Sequence, residues 1–147
     1  MRVNIGCGNN YIDGWVNLDI SPEVGADVVC DITGGLPFAD DSVLEVLAEN
    51  VLTQLPNPAA FRDVLNELWR VVKPGGELRV RVPLATHEAA FQDPFDVMRF
   101  TRESFTYLDG YHRRYGQYGR HYGFKPWYTR VSEDNGIQIR VNLTPIK

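Results

Sequence analysis

Cysteine is scarce in this chain, with two in 147 residues, Cys7 and Cys30. Their spacing matches no metal-ligand pair and their number supports no disulfide framework. No metal site is expected, and a reduced, cytoplasmic location is. Long hydrophobic runs are lacking too. No stretch approaches the ~18 apolar residues of a membrane span, the first residues carry no secretory-signal pattern, and no membrane partner is expected. Repeats, low-complexity tracts and linkers are missing as well. What is present is ordinary for one soluble domain, residues 1–147, with 44% hydrophobic and 23% charged residues. A chain of this size buries roughly 70% of its unfolded surface.

Charge is unevenly spread. Residues 1–110 hold eight Lys/Arg against seventeen Asp/Glu, net −9, and residues 111–147 hold seven against two, net +5. The segment 111–130 has five Lys/Arg, no acid and seven aromatics. That mixture can stack on nucleic acid or an anionic ring-bearing substrate. The plainer expectation is aromatics covering a sheet, spaced by Gly116, Gly119 and Gly123. The overall net charge of −4 also makes nucleic acid an improbable partner.

The chain is organised around Val3-Asn4-Ile5-Gly6-Cys7-Gly8-Asn9. A short apolar run enters two glycines that permit a tight turn, and such a turn at a strand's carboxyl end exposes bare backbone to a ligand. A first strand is read over residues 2–5 and a second over 15–19, with Asp13-Gly14 as a turn. Only nine residues separate them. A parallel pair would therefore lack its usual helix, and an antiparallel hairpin competes. Further strands are read over 26–30, 43–48 and 78–83. The clearest helix starts with Asn57 as N-cap and Pro58 at its first position. Phe61, Val64, Leu65, Leu68, Trp69 and Val72 share one face of it, and Lys73-Pro74-Gly75-Gly76 stops it. Residues 84–100 read as irregular. Thr101 caps a short helix to about Asp109, and Asp134-Asn135-Gly136 marks a hairpin whose second arm, 137–143, alternates cleanly. Strands alternating with crossovers predict an α/β fold with a mainly parallel sheet, a reversed C-terminal hairpin and few helices.

These pieces resemble the class I S-adenosylmethionine-dependent methyltransferases, in particular short members with a G-C-G-x-N…G-W-x-N-x-D opening. The matching residues are Asn4-Ile5-Gly6-Cys7-Gly8-Asn9-Asn10, Gly14-Trp15-Val16-Asn17-Leu18-Asp19, Asp31, Leu36-Pro37-Phe38 and Leu68-Trp69-Arg70-Val71-Val72-Lys73-Pro74-Gly75-Gly76. The resemblance implies a Rossmann-like fold with a cofactor-binding core, 1–83, and a substrate-side segment with the hairpin, 84–147. It implies S-adenosyl-L-methionine as cofactor. Gly6, Cys7, Gly8 and Asn9 would approach its methionine part, and Asp19 would accept both ribose hydroxyls. Ile20 would pack on adenine, Asp31 and the Ile32 backbone would meet the adenine edge, and Glu49 or Asn50 would reach the ammonium group or the acceptor. As bland alternatives, Asp19 and Asp31 cap loops, and Ile20 and Ile32 fill core. A nicotinamide cofactor fits worse, because Tyr11 stands where the third glycine of that fingerprint belongs.

Thr53-Gln54 stand where many relatives carry Glu-His, so no base is carried over from that position. The usual N-terminal covering segment is not found, which leaves the pocket to be closed by residues 84–125 or a second subunit. Methyl transfer from a sulfonium depends on positioning, and a base is needed only if the nucleophile must lose a proton. Glu49, His87 and Asp93 are the candidates. Two functions stay open: a methyltransferase of small-molecule or macromolecular acceptors, or a cofactor-binding but inactive module serving as partner or regulatory subunit. Scarce helices leave sheet surface uncovered, so a homodimer is a further expectation.

Overall fold

The computed structural model describes residues 1–147, the side chains of residues 133 and 134 excepted. Seven strands form one sheet: β1 (Arg2–Ile5), β2 (Val16–Asp19), β3 (Val28–Val29), β4 (Val43–Glu49), β5 (Val72–Pro83), β6 (Trp127–Asp134) and β7 (Gln138–Pro145). The helices are α1 (Pro58–Val71) and α2 (Tyr115–His121). In space the strands run β3-β2-β1-β4-β5-β7-β6. The first five are parallel and β7 lies antiparallel between β5 and β6. From β1 the chain steps outward to β3, then returns to β4 on the other side of β1. The order therefore reverses between β1 and β4. In open parallel sheets the crevice beyond the strand ends at such a point is where ligands bind.

The β1–β2 pair is parallel, which decides against the hairpin, and no helix joins the two strands. A buried asparagine replaces it. Asn17 Oδ1 accepts from Asn4 Nδ2 at 3.0 Å and from the Ile12 N–H at 2.9 Å. Its Nδ2 donates to Ile12 O, Trp15 O and Asp27 Oδ2 at 3.0, 3.2 and 3.1 Å. Asn4 Nδ2 also reaches Asn10 O at 2.9 Å. A loop has no ladder to satisfy its backbone, so polar side chains must do it. Asn4 and Asn17 do so from inside the fold.

One face of the sheet is dry. Phe61, Val64, Leu65 and Leu68 of α1 join Val46, Val80, Val141, Phe100, Phe105 and Trp127 in a continuous core. α1 begins as its sequence requires, with Pro58 leading and Asn57 Oδ1 accepting from the Ala60 N–H at 2.9 Å. Near its end Arg70 donates to Phe38 O (2.9 Å), Leu36 O (3.2 Å) and both oxygens of Glu67. The L-P-F and L-W-R segments, distant in sequence, are thereby fastened together.

The other face carries no helix among the described residues. Ion pairs cross it instead: Glu45 with Arg2 (3.4 Å) and Arg79, Glu49 with Arg81 (3.4 Å), and Glu77 with Arg130 (3.1 Å). The Arg2 and Arg79 guanidinium groups each lie 5.8 Å from the centre of the Trp15 ring. The uncovered surface that motivates a homodimer is thus charged, and water exclusion offers little reason to cover it.

Several boundaries differ from expectation. β2 begins at Val16, one residue late, and β3 shrinks to two residues. β4 extends to Glu49. β5 starts at Val72, directly after α1, and its register to β4 shifts between the Val43–Val72 and Glu45–Glu77 pairs. Lys73-Pro74-Gly75-Gly76 is therefore a bulge within the strand. A Cβ on Gly76 would sit 2.7 Å from Leu44 O, which is why glycine stands there. The helix over 102–108 is a 3-10 turn, with the Thr101 N–H donating to Ser104 Oγ at 2.9 Å. α2 is unexpected, since its two glycines argue against a helix. They serve packing: a Cβ on Gly116 or Gly119 would lie 2.2 or 1.7 Å from Asp109 O or Tyr107 O. Of the aromatic segment, Trp127 is fully buried and Phe124 packs against the core, while Tyr111, Tyr118, Tyr122 and Tyr128 stay exposed.

Asn17→Ala should cost about 3 kcal/mol in chemical denaturation, since it strands several buried polar groups at once. Hydrogen bonds from the Asn17 N–H, Tyr11 and Asn17 Nδ2 hold the Asp27 carboxyl below its usual range. Its contribution to stability is complete above pH ~4 and is lost as pH falls through the lowered folded value. Asp27→Asn should flatten that acid limb while leaving its slope near neutrality unchanged.

Candidate functional site

A cavity of about 770 Å³ opens at the carboxyl ends of β1, β2 and β4, at the point where strand order reverses. Gly6, Cys7, Gly8, Asn9, Asp19, Ile20, Asp31, Ile32, Glu49 and Asn50 all line it. The ten positions come from four separate stretches, and the topology brings them to one mouth. Asn10, Leu18, Cys30, Thr33, Val51, Gln54, Leu55 and Pro56 complete the wall. Asn10 and Leu18 belong to the motif segments and Gln54 to the departure from the family pattern. The other five carry no sequence signal of their own.

The floor is set by two backbone contacts. Gly6 has φ +61°, and a Cβ there would lie 2.3 Å from Val51 Cγ2. The loops after β1 and β4 can close on one another only because that Cβ is missing. Gly8 has φ +47° and open space where its Cβ would point. Its N–H donates to Asp19 Oδ2 at 2.8 Å, while Asp19 Oδ1 accepts from the Ser21 N–H at 2.9 Å. Each carboxylate oxygen retains acceptor capacity after one such bond.

Asp31 does cap a turn. Its Oδ1 accepts from the Thr33 hydroxyl at 2.7 Å and the Thr33 N–H at 2.9 Å. Those bonds, the hydroxyl's first, hold its carboxyl below the usual range. Oδ2 takes no donor among the described residues, so capping and a free acceptor coexist. Ile20 is 65% exposed at the cavity wall, which excludes the core reading for it, and Ile32 is partly buried. Burial, and then the charge of Asp19, push the Cys7 thiol up, so it stays protonated at neutral pH.

The three candidate bases are not brought together. Glu49 lines the cavity, with Oε1 3.4 Å from Arg81 Nη1. His87 is not among the lining residues, and its Nδ1 accepts from the Ala89 N–H at 3.1 Å to cap a 3-10 turn. Asp93 lines a neighbouring cavity of about 450 Å³ that shares Asn50 and Gln54 with the first. Its Oδ2 accepts from Gln54 Nε2 at 3.2 Å and its Oδ1 from the Phe95 N–H at 2.9 Å. The backbone oxygen of Thr53 accepts from the Val97 and Met98 N–H groups, both at 2.8 Å. Thr53-Gln54 thus tether residues 93–98. No residue of 84–125 lines the first cavity, so the expected cover from that stretch belongs to the second.

A paired-oxygen acceptor, an exposed aliphatic wall, a second acceptor beyond it and a glycine-lined opening suit a vicinal diol attached to a flat base with an exocyclic amine. The donor set fits a nucleoside with a compact polar extension.

The profile described as "Methyltransferase domain" matches residues 3–80, just over half of the chain. The chain belongs to the methyltransferase domain family. A SAM-dependent methyltransferase from Archaeoglobus fulgidus shares 14% identity, with 97% of this chain and 85% of that one covered at a TM-score of 0.71. The DhpI-SAM-HEP complex shares 16% identity, covering 98% and 78%, at 0.69. The putative methyltransferase of Haloferax volcanii, solved with the Trm112 methyltransferase activator, shares 20% identity, covering 99% and 82%, at 0.63. At such identities the likeness concerns the fold, and the methyltransferase-like chain order with its reversed hairpin agrees with it. A search of curated proteins returns no match.

Gly6→Ala should destabilise the chain by about 2 kcal/mol, combining a left-handed backbone with a clash. Val51→Ala placed in the same chain should restore part of that loss. Denaturation of both variants and the double variant checks it; equal losses in the single and double variants would show that the clash contributes nothing.

Proposed function

We propose that this chain is an S-adenosylmethionine-dependent methyltransferase whose cofactor lies in the 770 Å³ cavity. The observation that carries this is the convergence of Gly6-Cys7-Gly8, Asp19, Asp31 and Glu49-Asn50 on one opening at the β1/β4 reversal. Asp19 accepts the ribose hydroxyls with the lone pairs that Gly8 and Ser21 leave free. Ile20 packs on one face of the base, and Asp31 Oδ2 accepts from its amino group. Glu49 and Asn50 face the amino-acid end. When bound, the cofactor supplies a methyl group already activated on a sulfonium. The residues of the chain then have to orient it and exclude water. Asn50 holds a left-handed backbone, φ 56°, with its N–H donating to Arg81 O at 2.8 Å. Asparagine adopts that backbone readily, as Asn135 does at φ 53°. Its place on the wall shared by both cavities puts Asn50 between cofactor and acceptor.

Calorimetric titration with S-adenosylmethionine should give heat with the unaltered chain. Asp19→Ala should weaken binding about a hundredfold, as expected for losing bonds to a charged acceptor. Asp31→Asn should weaken it less. Because the Asp31 carboxyl is held low, its contribution should stay constant across neutral pH and fade only in acid. No heat with the unaltered chain would refute the proposal. Heat without transfer of labelled methyl to any acceptor in a cell extract would favour the inactive-module reading.

A further inference from the structure

We propose that the 450 Å³ cavity beside the first is the acceptor subsite and that it selects an ammonium-bearing small molecule, recognised by the Asp96 carboxylate. The inference rests on the cofactor reading of the first cavity, with which it shares Asn50 and Gln54. Asp96 lines the second cavity and is only 8% exposed. Its Oδ1 is buried and has no hydrogen-bond partner, so a ligand in the cavity would meet the carboxylate through Oδ2. The local cation, Arg99, makes no hydrogen bond to that carboxylate, and its own Nε is likewise buried without a partner. Arg99 Nη1 donates to the backbone oxygens of Asp96 and Met98 at 2.5 and 3.3 Å, and its guanidinium lies 4.7 Å above the Phe91 ring.

Asp96 is also held in place. Its N–H donates to Asp93 O at 3.1 Å, and the next two N–H groups donate to Thr53 O. A buried carboxylate with no donor is costly for a fold to keep, and pairing with a hydrogen-bonded cation offsets part of that cost. The remaining polar lining consists of Asn50, Gln54, Gln92, Gln138 and Asp93, with no Lys or Arg among it. An anionic acceptor would be repelled there, and a neutral alcohol would gain nothing from the charge. The volume is that of a small-molecule site. Asp96 is a recognition residue here, and the atom that receives the methyl group is a separate matter.

The test uses two matched probe sets: phenethylamine, 2-phenylethanol and phenylacetate, and hexylamine, hexanol and hexanoate. Each is titrated into the full chain by thermal shift, with and without S-adenosylhomocysteine. At least one amine should bind about tenfold or more tightly than both its counterparts, and Asp96→Asn should weaken it about ten- to a hundredfold. Affinity for S-adenosylhomocysteine should not change. Equal responses within both sets would show that Asp96 is satisfied by water and overturn the inference, as would an amine preference that survives Asp96→Asn. Should that variant fail to fold, the comparison within each set on the unaltered chain decides alone. Failure of S-adenosylhomocysteine to bind the unaltered chain would strike the cofactor reading, and the titrations without it would still judge amine selection.

Discussion

The amide of Asn17 is the constraint from which the site follows. A parallel strand pair without a crossover helix leaves a loop of backbone donors and acceptors at the sheet, and burying them unpaired is costly. Asn17 satisfies both ends of that loop from inside the core, with Asn4 as its partner across the strands. β1 and β2 can then end at the same level. Gly8 reaches Asp19 at 2.8 Å only because they do.

The shortened connection has a second consequence. With no helix on that side, the sheet is a two-layer structure, and its bare face is kept wet by cross-strand ion pairs. Such exposed pairs add little stability. Their effect is to make the face compatible with water. All of the dry packing then falls to the opposite side, where α1, residues 100–108 and Trp127 share one core.

Much of this was readable from the residues. The glycine turn, the carboxylates ending successive strands, the Asn57-Pro58 start and the Asp134-Asn135-Gly136 turn each rest on local chemistry, and local chemistry is visible in sequence. The ten positions expected to meet a cofactor line one cavity for that reason. What sequence concealed depends on packing. α2 forms despite Gly116 and Gly119 because only glycine lets its backbone meet the carbonyls of 107 and 109. Lys73–Gly76 reads as a helix stop, and α1 does end at Val71, but the following strand starts at Val72, with 73–76 as a bulge between the Val72 and Glu77 pairs to β4. Asn4 and Asn17 stand out in sequence only as motif residues, and in space they are the loop's internal support. Asp96 gives no sequence signal, since its significance is the lack of a partner. Thr53-Gln54 read as a departure from the family pattern, and in space they are the tether of residues 93–98.

The account stands on the claim that the mouth between β1 and β4 holds a nucleoside between two carboxylates. A crystal structure of the chain with S-adenosylhomocysteine tests it most directly. The account predicts the ribose on Asp19 and the adenine edge on Asp31, with the sulfur facing Asn50. Adenosine bound elsewhere, or bound here with both carboxylates turned away from it, would contradict it.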